Sequence, residues 1–213
     1  MRSNIVLTGV LLASALVLSV LVSGAAAKEI ENMLMNPDFE VDTGGWTIGG
    51  GQASLTIDRK EKPVGGIGNA VYAQVDAVGA NAWEPEIHSP AFDLEQGETY
   101  TYSFWAKCEP EEVRTLSPSF EQDVTYVGMG QGITVTEEWQ EFHYTGVWNN
   151  PTSPPQVVIH IGFNLQLVDV WFCHFRVYND QYQEEDLEID GQQRIAVTPV
   201  GNMATAWGKI KSR

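Results

Sequence analysis

Gly97-Glu98-Thr99-Tyr100-Thr101-Tyr102-Ser103-Phe104-Trp105-Ala106-Lys107 is the stretch that decides the fold. Gly97 is a turn former, and the residues after it alternate. Tyr100, Tyr102, Phe104 and Ala106 point one way, while Thr101, Ser103, Trp105 and Lys107 point the other. Period two in β-branched and aromatic residues predicts an antiparallel strand with one face on a core. The second face leaves two readings open for Trp105: an aromatic platform facing solvent, or a ring covered by a loop.

Outward from this strand, short alternating runs recur, separated by Gly, Pro, Asn and Asp. Candidate strands cover residues 52–57, 69–75, 83–88, 91–94, 99–107, 114–122, 125–129, 139–147, 156–164 and 170–178. Turn signals fall at Gly44-Gly45, Gly49-Gly50-Gly51, residues 63–68, Gln96-Gly97 and residues 149–155. With no amphipathic helix pattern, this spacing predicts an all-β, two-sheet antiparallel sandwich. No internal repeat is visible.

The first 27 residues differ from the rest. Arg2 gives a positive start, residues 5–22 are almost wholly apolar, and Ala25-Ala26-Ala27 supplies small residues. This is the pattern of a secretory signal peptide cleaved after Ala27; an uncleaved membrane anchor is the alternative. Removing 27 of 213 residues leaves 186, enough for one domain with a real core. Cleavage loses Arg2, which takes the formal net charge from −16 to −17. Such acidity repels phosphate backbones, so nucleic acid and anionic membranes are not expected partners, whereas neutral ligands are compatible. The domain is expected over residues 28–180. An acidic linker with Glu184, Glu185, Asp186, Glu188 and Asp190, and a tail containing Trp207, follow over 181–213. Oligomeric state is not legible.

Export permits a disulfide between Cys108 and Cys173, and two buried thiols are the alternative. Cys173-His174 with His88, His143 and His160 matches no zinc spacing, so no metal is expected on that ground. Nucleophile-elbow, metalloprotease, P-loop and dinucleotide motifs are absent from the sequence. Glycoside hydrolysis needs only two placed carboxylates, which keeps Glu84, Glu86 or Glu121 as a minority enzyme reading.

Seven Trp residues invite a binding role, because aromatic faces stack on sugar rings while carboxylates and amides take the hydroxyls. Trp83-Glu84-Pro85-Glu86-Ile87-His88 carries that mixture, with Trp83 as platform and Glu86 and His88 as hydrogen-bonding groups. In residues 157–164, Val157, Ile159, Ile161 and Phe163 make a core face. His160 and Asn164 then lie on the other face beside Gly162, whose missing side chain would leave room for a ring. Phe120, Gln122 and Tyr126 follow the same logic. Each of these residues has a bland alternative as a rim or solvated surface residue.

Met33-Leu34-Met35-Asn36-Pro37-Asp38-Phe39-Glu40 followed by Gly45-Trp46 resembles the opening motif of the carbohydrate-binding module 4/9 family. The 97–107 run is similar to that family's central strand, Trp139 with Phe142 to a later motif, and residues 170–177 to its closing strand. The resemblance spans roughly residues 32–178. It implies a β jelly roll with a concave face that binds a poly- or oligosaccharide without catalysis, with no cofactor required. It also implies a scaffold role for Trp105, and sugar contact at Trp83 and Glu86 ahead of His160, Phe120 and Tyr126. A structural or adhesion sandwich without sugar binding is the competing reading. Members often hold a structural Ca2+ through an Asp pair on the closing strand; here those positions read Cys173-His174, which are not hard oxygen ligands. Glu40 and Asp42 are the acids left nearby, so the resemblance implies loss of the usual site, with a Cys108–Cys173 bridge as a possible replacement staple.

Overall fold

The computed structural model describes residues 30–122, 125–150, 154–162, 165–185, 187–189 and 192–193. The leader, Asn164, Asp186, Asp190 and Trp207 lie outside them. Thirteen strands follow in order: β1 Thr47–Gly49, β2 Gln52–Asp58, β3 Ala70–Ala77, β4 Glu86–His88, β5 Thr99–Cys108, β6 Arg114–Gln122 and β7 Gly128–Gly130. Then come β8 Ile133–Val135, β9 Gln140–Val147, β10 Pro155–His160, β11 Val170–Tyr178, β12 Glu188–Ile189 and β13 Gln192–Gln193.

One sheet runs β1-β4-β10-β6-β7, with β8 also on β6; the second runs β2-β3-β11-β5-β9. Neighbours in both are antiparallel. The expected two-sheet sandwich is therefore present. The core lies between the sheets. Tyr102, Phe104, Ala106 and Cys108 of β5, with Val170, Phe172, Phe175 and Val177 of β11, meet Leu116 and Phe120 of β6 and Val157 and Ile159 of β10. Phe104 touches Tyr102, Phe142, Phe172 and Phe175, all on the second sheet, and Tyr102 meets Phe120 of the first sheet edge-on at 5.0 Å.

The other face of β5 is also covered. Trp105 is buried with Val64 and Cys173, and Trp139 and Leu187 pack on that cluster. The loop-covered reading of Trp105 holds and the platform reading fails. Several expected strands also differ: the 125–129 run gives only Gly128–Gly130, and the 156–164 run ends as a strand at His160. Residues 91–94 form no strand, and only Glu86–His88 of the 83–88 run is extended, because Trp83 and Glu84 belong to a tight loop.

Of the two readings open for the cysteines the buried thiols hold, since Cys108 and Cys173 are both free and buried. Strand register is the reason. Cys108 pairs with Val170 and Cys173 with Trp105, so the two thiols are offset by three residues on neighbouring strands. An odd offset puts them on opposite faces of one sheet, Cys108 in the main core and Cys173 in the outer cluster. The melting temperature is therefore expected to be the same with and without reductant, and two thiols should titrate on unfolding. A reductant-dependent loss of stability would contradict this register.

Candidate ligand-binding cleft

Parity along each strand builds the floor of a cleft on the outer face of the first sheet. In β6, Leu116, Pro118 and Phe120 point into the sandwich, which turns Ser117, Ser119 and Glu121 outward. In β4, Ile87 points inward and leaves Glu86 and His88 outward. Antiparallel register then aligns Glu86 with His160 and His160 with Ser117 across three strands. A second row aligns His88 with Val158 and Val158 with Ser119. Glycines flank the rows, Gly49 beside Glu86 on β1 and Gly128 beside Glu121 on β7, so the edges stay low.

The resulting cleft, about 680 Å³, is lined by Gly49, Gly50, Asn81, Trp83, Glu84, Glu86, His88, Glu121, Tyr126 and His160. Trp83 is 45 % exposed and Tyr126 77 % exposed, large rings available at the margins of a polar floor. Two imidazole–carboxylate pairs occupy that floor. His88 Nε2 lies 2.9 Å from Glu86 Oε2, and its Nδ1 lies 3.1 Å from Gln156 Oε1. The hydrogen bond to Glu86 is the main reason the His88 pKa is raised, and burial partly opposes it. His160 Nε2 lies 3.5 Å from Glu121 Oε2, which also accepts a 3.2 Å bond from Ser119 Oγ.

The loop that presents Trp83 is braced by its own carboxylate. Glu84 accepts bonds from the Asn81 backbone N–H and the Asn81 side-chain amide, both 3.1 Å. The backbone bond, then the amide bond, hold the Glu84 carboxyl below the usual range. The base of the loop is pinned to β10, where Ile161 N–H and Gly162 N–H both donate to Pro85 O at 3.0 and 3.1 Å.

Five of the eight anticipated residues therefore line one cleft: Trp83, Glu86, His88, Tyr126 and His160. Two do not. Phe120 is 0 % exposed and packs on Phe92 and Tyr102, and Gln122 is 1 % exposed with its Oε1 accepting from Thr125 Oγ1. Both have the parity of the core face, which excludes them from the surface. Glu121 has the outward parity and replaces them. Leu116 and Phe120 carried the signal for it, but polar Arg114 and Gln122 on the inward face masked it. Gly162 is also reassigned, because its missing side chain admits the Glu84 backbone and leaves no room for a ligand ring.

Among the described residues no group of three or more His, Cys, Asp or Glu is placed to hold a metal ion. Where the resemblance puts a cation, the His174 ring stands between Asp38 and Glu185, with a nitrogen directed at each carboxylate. These residues do not fit a calcium site, since both ring nitrogens are spent on acids and neither is an oxygen donor.

An antiparallel sandwich with an aromatic-margined polar cleft on one sheet is a ligand-binding β-sandwich module. The family model described as "Carbohydrate binding domain", of the carbohydrate-binding module 4/9 type, matches residues 31–166, and the chain belongs to that family. Among solved structures the chain is similar to a CBM4 module at 17 % identity and TM-score 0.57, covering 69 % of this chain and 99 % of that one. It is also similar to the CBM22-1–GH10 modules of a Clostridium thermocellum xylanase complexed with xylohexaose. There the identity is 21 % and the TM-score 0.54, over 74 % of this chain and 30 % of that one. A third is the module TmCBM61 in complex with β-1,4-galactotriose, at 15 % identity and TM-score 0.50, covering 70 % of this chain and 99 % of that one. No curated protein sequence matches the chain.

Proposed function

We propose that the chain is an exported, non-catalytic binding protein for an uncharged poly- or oligosaccharide, which it holds in the cleft over Glu86, His88, Glu121 and His160. Trp83 and Tyr126 stack on sugar rings, and the imidazole–carboxylate pairs take hydroxyls as donor and acceptor together. The observation that carries this reading is the convergence of two exposed rings and two such pairs on one open face. Membership of a carbohydrate-binding family supports it. So do the oligosaccharides named with two of the similar structures.

Electrostatics favours a neutral chain. Three carboxylates line the cleft and the protein carries a formal net charge of −16, so a polyuronate would be repelled. A binding role over an enzymatic one is supported by the carboxylates themselves. Glu84 is tied to Asn81 and held below the usual range, the opposite of what a general acid needs, while Glu86 and Glu121 are each engaged by a neighbouring imidazole. Export rests on the apolar leader of residues 1–27.

Affinity electrophoresis through gels containing β-glucan, xylan or alginate tests the reading, with reducing-end release as the assay for catalysis. Retardation by a neutral polysaccharide and none by alginate is expected, without reducing-end release. Trp83→Ala should weaken binding by about 1–3 kcal/mol, the range of base–aromatic stacking. No retardation by any glycan would overturn the function, and full retardation of a folded Trp83→Ala protein would remove Trp83 from the contact.

A further inference from the structure

The far side of the second sheet carries a second polar assembly that ligand binding does not use. After β11 the chain turns back, and residues 180–185 and Leu187 lie against the outer face of that sheet. The Tyr182 ring stacks on His143 at 3.6 Å and 8°, and its hydroxyl donates to Glu141. Gln183 N–H donates to Tyr178 OH at 2.8 Å, and Arg176 donates to Gln183 O at 3.2 Å. Farther along, Leu187 packs on the cluster of Val64, Trp105 and Cys173. A segment whose composition reads as a solvated acidic linker is thus a strap, fixed at Tyr182 and laid over the cluster in which Val64 N–H donates to the buried Cys173 thiol at 3.4 Å.

What closes its far end is His174. This residue occupies an irregularity of β11, between Cys173 and Arg176, with φ of +50°. The extra residue turns the ring outward between two acids: Nδ1 lies 2.9 Å from Asp38 Oδ1, and Nε2 lies 2.6 Å from Glu185 Oε2. An ionised carboxylate only accepts, so both nitrogens must donate to make both bonds, and only the doubly protonated imidazolium can do so. Asp38 belongs to the N-terminal segment and Glu185 to the strap. One ring therefore ties a segment that precedes the strands and one that follows β11 to that strand.

We propose that the His174 imidazolium is a proton-dependent latch that holds the far end of the C-terminal strap closed over Cys173 and Trp105, and that its deprotonation lets that end lift. A neutral ring turns a lone pair toward one of its two carboxylates, so one clasp becomes a repulsion. The Arg176–Glu185 pair remains, so Glu185 goes from two cationic partners to one. Arg176 already serves Glu185 and Glu141, at 3.2 and 2.7 Å, while Lys107 pairs with Glu61 beside the thiol. His143 lies under Tyr182, at the fixed end.

The sign of the pH dependence follows from the two acids. Burial lowers the His174 pKa, but its bonds to Asp38 and Glu185 outweigh that and raise it to about 9 from 6.5. The latch is fully closed below about 6.5 and is lost as pH rises through about 9. The latch rests on geometry independent of the sugar cleft, and its failure would leave the binding function untouched.

The two thiols give the test its internal control. Strap opening loosens the cluster around Cys173 alone, whereas global unfolding uncovers Cys108 as well, since they lie on opposite faces of the sheet. The full chain is treated with iodoacetamide from pH 7 to pH 10, and the Cys173-to-Cys108 labelling ratio is read by peptide mapping. The ratio should rise at least ~10-fold, the change expected when a group with a pKa near 9 goes from almost fully to barely protonated. Glu185→Gln supplies the decisive comparison. Its amide can donate to a neutral imidazole while the other ring nitrogen donates to Asp38, so the clasp no longer needs the second proton and the ratio should stay flat. Nitrogen NMR of His174 should show both ring nitrogens protonated at pH 7. A flat wild-type ratio, an equally steep rise in Glu185→Gln, parallel labelling of both thiols, or a singly protonated ring at pH 7 would each overturn the latch.

Discussion

Phe104→Ala is expected to lower the unfolding free energy by about 3–5 kcal/mol, the usual cost of removing a fully buried ring. Phe104 is 0 % exposed. It stacks on Phe175 at 5.1 Å and 25° and meets Phe172 edge-on at 5.9 Å, both from the neighbouring strand β11. Phe142 of β9 touches it from the other side at 6.0 Å. Truncation leaves a cavity walled by three rings on a packed sheet, where little can collapse to fill it. Domains of this size have only about 5–15 kcal/mol of stability, so the loss is a large fraction of the whole. Urea denaturation should show a lower midpoint with an unchanged slope. A loss below about 1 kcal/mol would mean that the inter-sheet core does not depend on β5 as described.

That ring sits on the strand whose alternation is the strongest signal in the chain, and the fold was readable for the same reason. Alternating residue types mark where β5, β6 and β11 run, although both faces of β5 and β11 are covered. Parity also limits the reading. In β6 the candidates Phe120 and Gln122 share the inward parity, and the residue between them, Glu121, is the one that reaches the cleft. On β11 the irregularity after Cys173 reverses parity, and nothing local in Cys173-His174-Phe175-Arg176 announces it. The sequence leaves the cysteines open between bridge and buried thiols for a related reason: whether two cysteines share a face depends on inter-strand register, and register is set by contacts distant in sequence. Trp83, Glu86, His88, Tyr126 and His160 stand out in the sequence as aromatic, imidazole and carboxylate side chains, and the fold brings them to one cleft. Their convergence, however, depends on β4 and β10 being neighbours although residues 89–154 separate them. The strap was misread because acidic composition predicts solvation, while its anchors, His174, Arg176 and His143, lie on other strands.

Gly162→Ala is expected to abolish retention by polysaccharide at least as completely as Trp83→Ala, in a protein that still folds. A Cβ at this position would fall well inside van der Waals contact of the Glu84 carbonyl oxygen and its carbon. The obstacle is backbone, so no side-chain rotation relieves it, and either the end of β10 or the Asn81–Pro85 loop must move. The loop is the weaker partner. It is held to β10 by the Ile161 and Gly162 bonds to Pro85 O, and beyond them mainly by the local Glu84–Asn81 brace. Ile161, by contrast, is anchored in the main core. Displacing the loop carries Trp83 and Glu84 away together, so the mutation removes one wall of the cleft where Trp83→Ala removes one ring. Overpacking of this kind typically costs about 1–3 kcal/mol of stability, below the loss expected for Phe104→Ala. Circular dichroism and urea denaturation should therefore report a folded but weakened protein, while affinity electrophoresis reports no retardation. Normal retardation would show that the Trp83 loop is not positioned by its contact with β10. Complete unfolding would place Gly162 among the scaffold residues, and Gly79→Ala then isolates the loop, because a Cβ there meets first the Glu84 side chain and the Gly51 backbone nitrogen at the same turn.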